Sequence, residues 1–293
     1  MAEPDRPLPL LQIVIVTAAG GRELVRACLR SLEQHPLTRG PMRVHLVDNA
    51  SGDGTAEMVL SEFPDVDLRE MGWNSGFCIA NNVVLREAEA PYVLLLNPDT
   101  EVRAGALDYM YDLMEARRDI GVAGCRLVLE DGSFDHAAKR SFPSPGDALA
   151  YFAGRGSAYT TPDMDEHGSG EVDAVNGAFM FVRRAAMDEV GLLDQAYWLY
   201  MEDLDWCYRF HRAGWKVWYD GGTTILHVKG GVSKIKRHRG LRANVAFHRG
   251  MGRFYRKFQA GRQPVLDGAV YAGIGAKLLV SATRSAVARR SIT

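Results

Sequence analysis

The hydrophobic residues near the N-terminus follow two alternating patterns, one typical of buried strands and the other of helices. Residues 10–17 form an apolar run, rich in β-branched side chains and broken only by Gln12, which predicts a strand buried on both faces. In residues 23–35 the apolar side chains recur at helical spacing, and residues 43–48 again have the pattern of a strand. The chain therefore begins with a strand, a helix and a second strand.

The same alternation continues toward the middle of the chain. It predicts a helix from Thr55 to about Phe63, a strand over 66–69, a helix over 76–90, a strand over 92–96, a helix over 105–117 and a strand over 122–129. Strands that alternate with helices predict an α/β fold with a mostly parallel, doubly wound sheet.

The pattern is lost over residues 141–170, a stretch with several Pro and Gly residues. A loop this long in a compact domain is usually functional or disordered. Regular structure returns after it, with predicted strands over 172–183, 215–219 and 224–228 and a predicted helix over 202–213. We therefore expect one α/β domain over residues 1–230, followed by a C-terminal extension over residues 231–293.

Composition and charge are those of an ordinary globular protein. Hydrophobic residues make up 47% of the 293 residues and charged residues 24%, so most of the chain is expected to fold. The formal net charge is -1. Because phosphate backbones are bound mostly by an excess of Lys and Arg, we expect no nucleic acid among the main partners.

The cysteines and the N-terminus indicate a cytoplasmic protein. The four cysteines lie far apart without a Cys-x-x-Cys pair, and we interpret them as buried thiols in a reducing compartment. Residues 1–9 lack the basic and apolar parts of a secretory signal. No stretch reaches the roughly 18 uninterrupted apolar residues that a membrane span needs, so membrane contact is expected to be peripheral, on the inner face.

The C-terminal region is strongly basic. Residues 229–257 contain ten Lys and Arg and no acidic residue, and residues 265–280 are mostly apolar or small. One interpretation is a basic amphipathic tail that lies on an anionic membrane surface. The alternatives are a solvated basic helix packed on the domain, or a contact between the subunits of a homodimer.

Polar motifs follow several of the predicted strands, at the end of an α/β sheet where ligands bind. The second strand ends in Asp48 and Asn49, whose side chains can hydrogen-bond a base or a ribose. The alternative is an Asx turn before a capped helix. Asn74 and Gly76 occupy the next strand-to-helix junction. Asn81 lies inside the helix that follows, where asparagine is a poor helix former and indicates a polar role.

A second motif suits a divalent cation. Asn97 and Asp99 lie two residues apart at the end of a buried strand, and both can reach a hard cation such as Mg²⁺ or Mn²⁺ and the diphosphate that it neutralises. Taken alone, Asn-Pro-Asp is also a common turn. His227 ends a later apolar strand, where a histidine is either structural or a further metal ligand.

The strongest local signal is a group of carboxylates at a predicted helix start, Glu202, Asp203 and Asp205. The helix dipole explains part of this charge. Aromatic side chains crowd the same segment and would limit access of water, which raises the pKa of a carboxylate toward the value that a general base needs. These aromatic residues are Trp198, Tyr200, Trp206 and Tyr208.

Taken in order, these motifs resemble those of the family 2 glycosyltransferases with a GT-A fold. Within that family the chain is most similar to the rhamnosyltransferases of bacterial cell-wall and polysaccharide assembly. The resemblance covers roughly residues 10 to 230. It is carried by Val47-Asp48-Asn49 with Ser51, Asn74-x-Gly76-Phe77, Leu96-Asn97-Pro98-Asp99, Asn176-Gly177-Ala178, Glu202-Asp203-x-Asp205 and His227.

The resemblance implies a role for each matching residue. Asp203 would be the catalytic base, with Glu202 the next candidate and Asp205 orienting the helix or the acceptor. Asp99 and Asn97 would stand at the metal motif, with His227 as another metal ligand. The implied nucleotide-sugar-binding residues are Thr17, Asp48, Asn49, Asn74, Gly76, Asn81, Asn97, Asp99, Asn176 and Gly177.

Two positions depart from the family pattern. Ala18 and Ala19 follow the first strand, where relatives commonly carry Tyr-Asn, so base contacts there are in doubt. Asn97 in place of an aspartate removes one negative charge, which suits a weakly held metal that arrives with the donor.

The resemblance implies an inverting transfer from dTDP-L-rhamnose to a polyprenyl-diphosphate-linked sugar. Three alternatives remain open: another donor such as UDP-GlcNAc or a UDP-hexose, a sugar-nucleotide pyrophosphorylase, and a non-catalytic nucleotide-sugar-binding module. A pyrophosphorylase would need a Gly-rich, basic phosphate loop directly after the first strand, and residues 18–22 fit that poorly. A binding module would not need the Glu202 and Asp203 pair.

Overall fold

The structure, a computed structural model, describes residues 7–143, 163–228, 241–261 and 263–290, with side chains up to residue 283. Most of the predicted loop 141–170 and the first part of the basic region, residues 229–240, therefore lie outside the described residues.

The described residues form eleven strands and eight α-helices. The strands are β1 Leu11–Thr17, β2 Met42–Asp48, β3 Asp67–Glu70, β4 Tyr92–Leu96, β5 Thr100–Glu101, β6 Ile120–Val128, β7 Lys139–Arg140, β8 Ser169–Glu171, β9 Ala174–Val175, β10 Phe179–Arg183 and β11 Lys216–His227. The helices are α1 Arg22–Gln34, α2 Thr55–Glu62, α3 Phe77–Leu85, α4 Ala106–Ala116, α5 Arg184–Val190, α6 Glu202–Arg212, α7 Leu241–Phe258 and α8 Pro264–Arg290.

Nine strands form one mixed sheet flanked by helices. Its main order is β3-β2-β1-β4-β10-β6-β11-β5, with β8 added beside β11. Strands β3, β2, β1 and β4 are mutually parallel, as the strand and helix alternation predicts. Strand β10 is antiparallel to both of its neighbours, β4 and β6, and β11 returns parallel to β6. The predicted α/β class with a central sheet is confirmed.

Two predicted strand assignments differ in detail from the structure. Residues 172–183 are not one strand, because a turn at Asn176 separates β9 from β10; its Oδ1 accepts a hydrogen bond from Ala178 N at 2.8 Å. Residues 215–219 and 224–228 join into the single strand β11, whose register with β6 shifts between Asp220 and Thr224. A bulge of this kind lets one strand continue past glycines that look like a break.

The core consists of the two faces of this sheet. Every residue of β4 and β10 is buried, because helices cover the sheet on both sides. The largest fully buried side chains include Trp206 and Phe210 of α6. All four cysteines are buried free thiols, as predicted. Burial of the central strands fixes where their carboxyl ends, and so the polar motifs, come together.

The C-terminal helices pack on the domain and on each other. Phe254 of α7 makes ring contacts with Phe142 and Tyr208. Lys257 Nζ, near the end of α7, lies 2.6 Å from Asp205 Oδ2 of α6. Helix α8 is long and apolar enough to cross a membrane by length and composition alone, with a mean hydropathy of 1.4 over Pro264–Thr283. The apolar segment Pro264–Thr283 is therefore longer than residues 265–280, the apolar range predicted from the sequence.

Candidate active site

The first part of the site joins the loop after β2 to the loop before α3. Asn49, buried at the end of β2, accepts hydrogen bonds at Oδ1 from Ser75 N at 2.8 Å and Ser75 Oγ at 2.9 Å. Its Nδ2 donates to Gly76 O at 3.1 Å. Asn74 Oδ1 in turn accepts from Gly76 N at 3.2 Å. Asn49, Asn74 and Gly76 are therefore brought together, as the motif order predicts.

Thr17 and Asp48 lie side by side at the carboxyl ends of β1 and β2, where they are paired in register. Both are buried. The two carboxylate oxygens of Asp48 accept hydrogen bonds from Ser51 N at 2.7 Å and Ser51 Oγ at 2.8 Å. The Asx-turn interpretation therefore describes the local geometry of Asp48, and a nucleoside contact would use the remaining lone pairs of its oxygens.

Asp53 stabilises the loop after β1, a role that sequence reasoning did not single out. Its Oδ2 accepts hydrogen bonds from Gly20 N at 2.8 Å and Gly21 N at 3.0 Å, which fixes the loop after β1. Its Oδ1 accepts from Thr55 Oγ1 at 2.5 Å. Partial burial would raise the pKa of Asp53, but the hydrogen bonds from Thr55, Gly20 and Gly21 outweigh it and lower the pKa to about 2. The signal in the sequence was its place two residues before a helix start.

Helix α3 begins against the segment that leads into α6. Gly76 has φ 86° and ψ 177°, a conformation open essentially to glycine only. A Cβ atom on Gly76 would lie 2.4 Å from both Cδ1 and the carbonyl oxygen of Trp198. The next residue, Phe77, donates its N–H to Trp198 O at 2.7 Å. This close approach fixes the N-terminus of α3 beside Trp198, in the segment that leads into α6.

The asparagine pair inside α3 has a polar role within the protein. Asn81 Nδ2 donates to Phe77 O at 2.9 Å, one turn earlier. Asn82 Nδ2 donates to Leu193 O at 2.8 Å, which ties α3 to the segment before α6. Both residues are buried. The contacts of Asn81 in the structure are therefore structural, and its predicted contact with the donor remains a prediction.

The predicted metal residues meet because β11 pairs with β5. His227 is paired in register with Thr100, and Val228 N donates to Asp99 O at 2.7 Å. His227 Nε2 then lies 3.5 Å from Asp99 Oδ1. That carboxylate oxygen is buried and has no hydrogen-bond partner. Asn97 is half-buried two residues before Asp99, at the start of the same turn.

Asp135 is the second residue that sequence reasoning missed. Its Oδ2 lies 2.9 Å from His227 Nδ1 and so orients the imidazole with Nε2 toward Asp99. Burial alone would lower the pKa of His227, but the hydrogen bond with Asp135 and the negative charge of Asp99 outweigh it and raise the pKa to about 9. A carboxylate that holds the second nitrogen of a metal-binding histidine is a common outer-shell arrangement.

These residues have the chemistry that a divalent cation needs. Two carboxylates face one imidazole, so the site favours positive charge, and the buried Oδ1 of Asp99 makes no hydrogen bond and lies 3.5 Å from the imidazole. Over the described residues no group of three or more His, Cys, Asp or Glu side chains is arranged around one point. Asp99 and His227 would therefore supply two ligands, and the donor's diphosphate and water would supply the others.

The carboxylate pair lies at the start of α6, after a strained segment. Tyr200 and Met201 have φ of 71° and 73°, values that residues with side chains rarely adopt. Strain of this kind persists only where surrounding structure enforces it, and it is concentrated at functional sites. The helix then begins with Glu202 and Asp203, both buried. The positive φ values of Tyr200 and Met201 therefore set the direction in which the chain enters α6, and with it the position of this pair.

Asp203 is held by three donors. Its Oδ2 accepts from Arg140 Nη2 at 2.5 Å and from Gly177 N at 3.2 Å, and its Oδ1 accepts from Leu204 N at 2.8 Å. Arg140 also donates to Val175 O at 2.9 Å. Arg140 is the third residue that sequence reasoning missed, since nothing local indicates that β7 delivers a guanidinium to α6.

Glu202 differs from its neighbour. It is buried, and its Oε2 has no hydrogen-bond partner. Burial, reinforced by the negative charge of Asp203, raises the pKa of Glu202 well above its usual range. The pair therefore consists of one carboxylate in an ion pair and one that retains a proton more readily.

Asp205 has a separate structural role. It is fully buried, and its two oxygens pair with Arg209 Nε at 2.8 Å and Lys257 Nζ at 2.6 Å. These contacts attach α6 to α7 and agree with the expectation that Asp205 orients the helix.

The turn at residues 176–178 connects the metal motif to the carboxylate pair. Asn97 N donates to Ala178 O at 3.0 Å. On the other side of the same turn, Gly177 N donates to Asp203. Two hydrogen bonds therefore link Asn97 to Asp203, which are far apart in sequence.

Comparisons with known proteins match the chain to glycosyltransferases. The model of the family described as "Glycosyl transferase family 2" matches residues 13–191. The chain is 31% identical over 239 residues to an N-acetylglucosaminyl-diphospho-decaprenol L-rhamnosyltransferase of Mycobacterium tuberculosis, covering 75% of this chain and 76% of that protein. It is 29% identical over 159 residues to the rhamnosyltransferase WbbL of Escherichia coli, covering 52% of this chain and 60% of that one.

Solved structures share the fold at low sequence identity. A mannosyltransferase from Pyrobaculum calidifontis, in complex with GDP-Man and Mn²⁺, has a TM-score of 0.60 and 16% identity, over 97% of this chain and 79% of that chain. GalNAc-T7 with UDP, GalNAc and Mn²⁺ has a TM-score of 0.58 and 14% identity, over 76% of this chain and 44% of that chain. The GT-A fold that the resemblance implies is confirmed.

The contact between Gly76 and Trp198 can be tested by stability. Gly76→Ala should lower the free energy of unfolding by about 2 kcal/mol or more, since it adds both backbone strain and a steric clash. Gly52→Ala is the matched control, because Gly52 has φ +62° and no atom within 4 Å of the added Cβ. It should cost about 1 kcal/mol. Equal losses in chemical denaturation would mean that Trp198 makes no tight contact there.

Proposed function

This chain belongs to glycosyl transferase family 2, and on that premise we propose that it transfers L-rhamnose from dTDP-L-rhamnose to a hydroxyl of a polyprenyl-diphosphate-linked saccharide. The observation that carries the proposal is the pair of hydrogen bonds through residues 176–178, which holds the Asp99 motif and the Glu202 and Asp203 pair as one unit. A direct transfer needs the donor and the base in fixed relative positions, and these hydrogen bonds would help to hold them there.

The donor and the acceptor are proposed from the relatives. One relative is named for a rhamnosyl transfer to N-acetylglucosaminyl-diphospho-decaprenol, and a second is a rhamnosyltransferase. Because this chain is 31% identical to the first of these relatives over 239 residues, we propose the same classes of donor and acceptor for it. The alternative is a glycosyltransferase of the same fold with another donor, such as UDP-GlcNAc or a UDP-hexose, because fold alone does not set the donor.

The reaction we propose is a single displacement with inversion. The acceptor hydroxyl oxygen attacks the anomeric carbon, Asp203 takes the hydroxyl proton, and the bond from the anomeric carbon to the nucleoside diphosphate breaks with its electron pair. An ionised carboxylate can accept about four hydrogen bonds, and three are already made to Asp203. One lone pair therefore remains for the acceptor hydroxyl.

Arg140 positions the base in this scheme. Its ion pair with Asp203 offsets the cost of burying that carboxylate, and the negative charge of Asp203 raises the pKa of Arg140 in spite of burial. Glu202, with a raised pKa and a free oxygen, is the alternative base. The two carboxylates share one site, so only variants of each can assign the role.

A divalent metal, Mg²⁺ or Mn²⁺, is proposed to bind with the donor at Asp99 and His227, with Asn97 beside them. A bound cation would supply positive charge that stabilises the leaving diphosphate. Asp135 holds the imidazole of His227 in the orientation that such a ligand needs. The buried Oδ1 of Asp99, which makes no hydrogen bond and lies 3.5 Å from His227 Nε2, is the feature of the chain that favours this proposal.

We also propose that the protein works at the cytoplasmic face of the membrane as a peripheral protein. The support is the exposed apolar surface of α8, where Leu279 and Val280 are 69% and 51% exposed, next to the basic helix α7. The alternative use of this surface is contact with a second copy of the chain. The extension from residue 231 onward would then serve for docking, and residues 1–230 for catalysis.

The donor is tested by a panel of nucleotide sugars. We expect dTDP-L-rhamnose to bind at least tenfold more tightly in calorimetry than UDP-GlcNAc, UDP-galactose or GDP-mannose, each with Mg²⁺. It should also be the donor that is consumed when a prenyl-diphosphate-linked N-acetylglucosamine is added. Tighter binding of any other donor would show that the chain is a glycosyltransferase with that donor. Donor binding without sugar transfer would favour a non-catalytic nucleotide-sugar-binding module.

The metal is tested at its proposed ligands. Asp99→Ala should abolish metal-dependent donor binding, because a hard cation with few protein ligands depends on each of them. His227→Ala should weaken it less, and Asp135→Asn should lower metal affinity by about 10-fold to 100-fold through the imidazole. Titration of the donor with and without Mn²⁺ measures these effects. Turnover that survives EDTA unchanged would refute the metal for all three residues.

The base is assigned by paired variants. Asp203→Asn should lower kcat by about 100-fold or more with donor affinity within a few-fold, because general-base catalysis contributes about that much. Glu202→Gln should cost less, and the exposed Asp188→Asn on α5 is the control for loss of a carboxylate. If Glu202→Gln costs more than Asp203→Asn, or if Asp203→Asn keeps over a tenth of the activity, Glu202 takes the role of base.

A further inference from the structure

A large basic groove lies beside the segment that leads into the catalytic helix. Its volume is about 1080 Å³, and it is formed by α7, by Tyr271 of α8 and by residues 196–198. Four guanidinium groups of α7 line it, and we call this cavity the arginine groove. They belong to Arg242, Arg249, Arg253 and Arg256.

The four arginines share one face of α7, because they are separated by seven, four and three positions. Among the residues that the structure describes, no carboxylate forms an ion pair with any of them. Lys257 on the same helix differs, since its Nζ lies 2.9 Å from Asp194 and 2.6 Å from Asp205. Within the described residues, the arginine groove therefore concentrates positive charge without a directly paired carboxylate, and Asp194 interacts with Arg253 only at a distance beyond an ion pair.

Aromatic rings keep part of this charge in place. The guanidinium of Arg242 lies 4.1 Å from the centre of the Trp198 ring, and that of Arg253 lies 5.7 Å from the Tyr197 ring. Stacked guanidinium groups keep their N–H donors free at the edges. Arginines fixed in this way are suited to an anion with several oxygens, of which phosphate and diphosphate are the common examples.

The arginine groove and helix α7 are in direct contact with residues 196–201, which lead into α6. Gly250 of α7 packs so closely on residues 200–201 that a Cβ there would lie 3.0 Å from Tyr200 O. Phe247 of α7 meets the Tyr200 ring at 5.9 Å. The segment of residues 196–201 leads into Glu202, and within it the carbonyl oxygen of Trp198 accepts the N–H of Phe77. Residues 196–198 therefore line the groove and residues 200–201 contact α7, directly before the carboxylate pair in the chain.

We propose that the arginine groove binds the diphosphate of a prenyl-diphosphate-linked acceptor, which directs the attached saccharide toward Glu202 and Asp203. This inference rests on the proposed function, because it assumes a lipid-linked acceptor. The donor's diphosphate is assigned to the separate site at Asp99 and His227, so the groove is free for the second diphosphate. The prenyl chain would leave along the apolar surface beside it, where Leu241 is 50% exposed and Tyr271 40%.

The test removes two groove arginines that make no ion pair with the described carboxylates. Arg249→Ala/Arg253→Ala is compared with Arg30→Ala/Arg118→Ala, a control with the same loss of charge at exposed positions on α1 and beyond α4. The probes are N-acetylglucosaminyl-diphospho-prenol with a chain short enough to be soluble, and an alkyl N-acetylglucosaminide that has no diphosphate. Arg249→Ala alone serves as a milder variant if the double variant unfolds.

We expect the double groove variant to raise KM for the diphosphate acceptor at least tenfold, because hydrogen bonds to a charged group are among the stronger ones. Its turnover of the alkyl acceptor and its donor affinity should stay within twofold, and the control should match the wild type on both probes. Equal KM values for wild type and groove variant, or equal losses on both acceptors, would overturn the proposal.

Binding measurements separate this proposal from the proposed function. Calorimetry of the soluble diphosphate acceptor should give an affinity that the groove variant loses, even if no sugar is transferred by the wild type. Failure of transfer with retained, arginine-dependent binding would refute the function and leave the groove as a diphosphate site. If the groove variant loses only its sedimentation with anionic vesicles and binds the soluble acceptor normally, the arginines bind lipid headgroups and the proposal is wrong.

Discussion

Burial of carboxylates at one end of the sheet is the constraint on which the site depends. A charged carboxylate in the protein interior is costly unless it is paired or hydrogen-bonded. Asp203 is compensated by Arg140 and two backbone N–H groups, and Asp135 by His227. Glu202 and Asp99 each keep one buried oxygen that accepts no hydrogen bond, although that of Asp99 lies 3.5 Å from His227. The two incompletely satisfied carboxylates are thus in the two places where chemistry is proposed.

Compensation of these charges requires parts of the chain that are distant in sequence. Arg140 comes from β7, Gly177 from the turn before β10, and Asp135 from the segment after β6. The antiparallel direction of β10 makes this possible, because its first residue lies at the carboxyl end of β4, where Phe179 is paired with Leu96. A wholly parallel sheet would start β10 at the opposite end and move Gly177 away from Asp203. The mixed sheet is therefore part of the active-site architecture.

The sequence predicted the elements with strong periodicity and the motifs at the ends of their strands. Strands β1, β2 and β4 and helices α1 and α6 were identified within a few residues, because burial on two faces or one leaves a clear hydrophobic pattern. Three residues escaped, Asp53, Asp135 and Arg140. Each makes a contact with a residue far away in sequence: Asp53 with Gly21, 32 positions away, Arg140 with Asp203, 63 positions away, and Asp135 with His227, 92 positions away. Local patterns contain no information on such pairings, which strand register decides.

In the basic C-terminal region, too, the sequence did not show which charges are paired. The structure distinguishes basic residues that look equivalent in sequence. Lys257 and the four groove arginines lie in one continuous basic stretch, yet Lys257 is neutralised by Asp194 and Asp205 and so fixes α7 on α6. Lys257 lies four positions after Arg253, on the same side of α7, so its ion pairs hold the groove side of the helix against residues 196–201, which precede Glu202 and Asp203. One cation therefore holds the helix while its neighbours remain open to an anion. Because α7 packs directly on residues 200–201, the proposed acceptor groove and the proposed membrane-docking surface of α8 would lie on two adjoining helices.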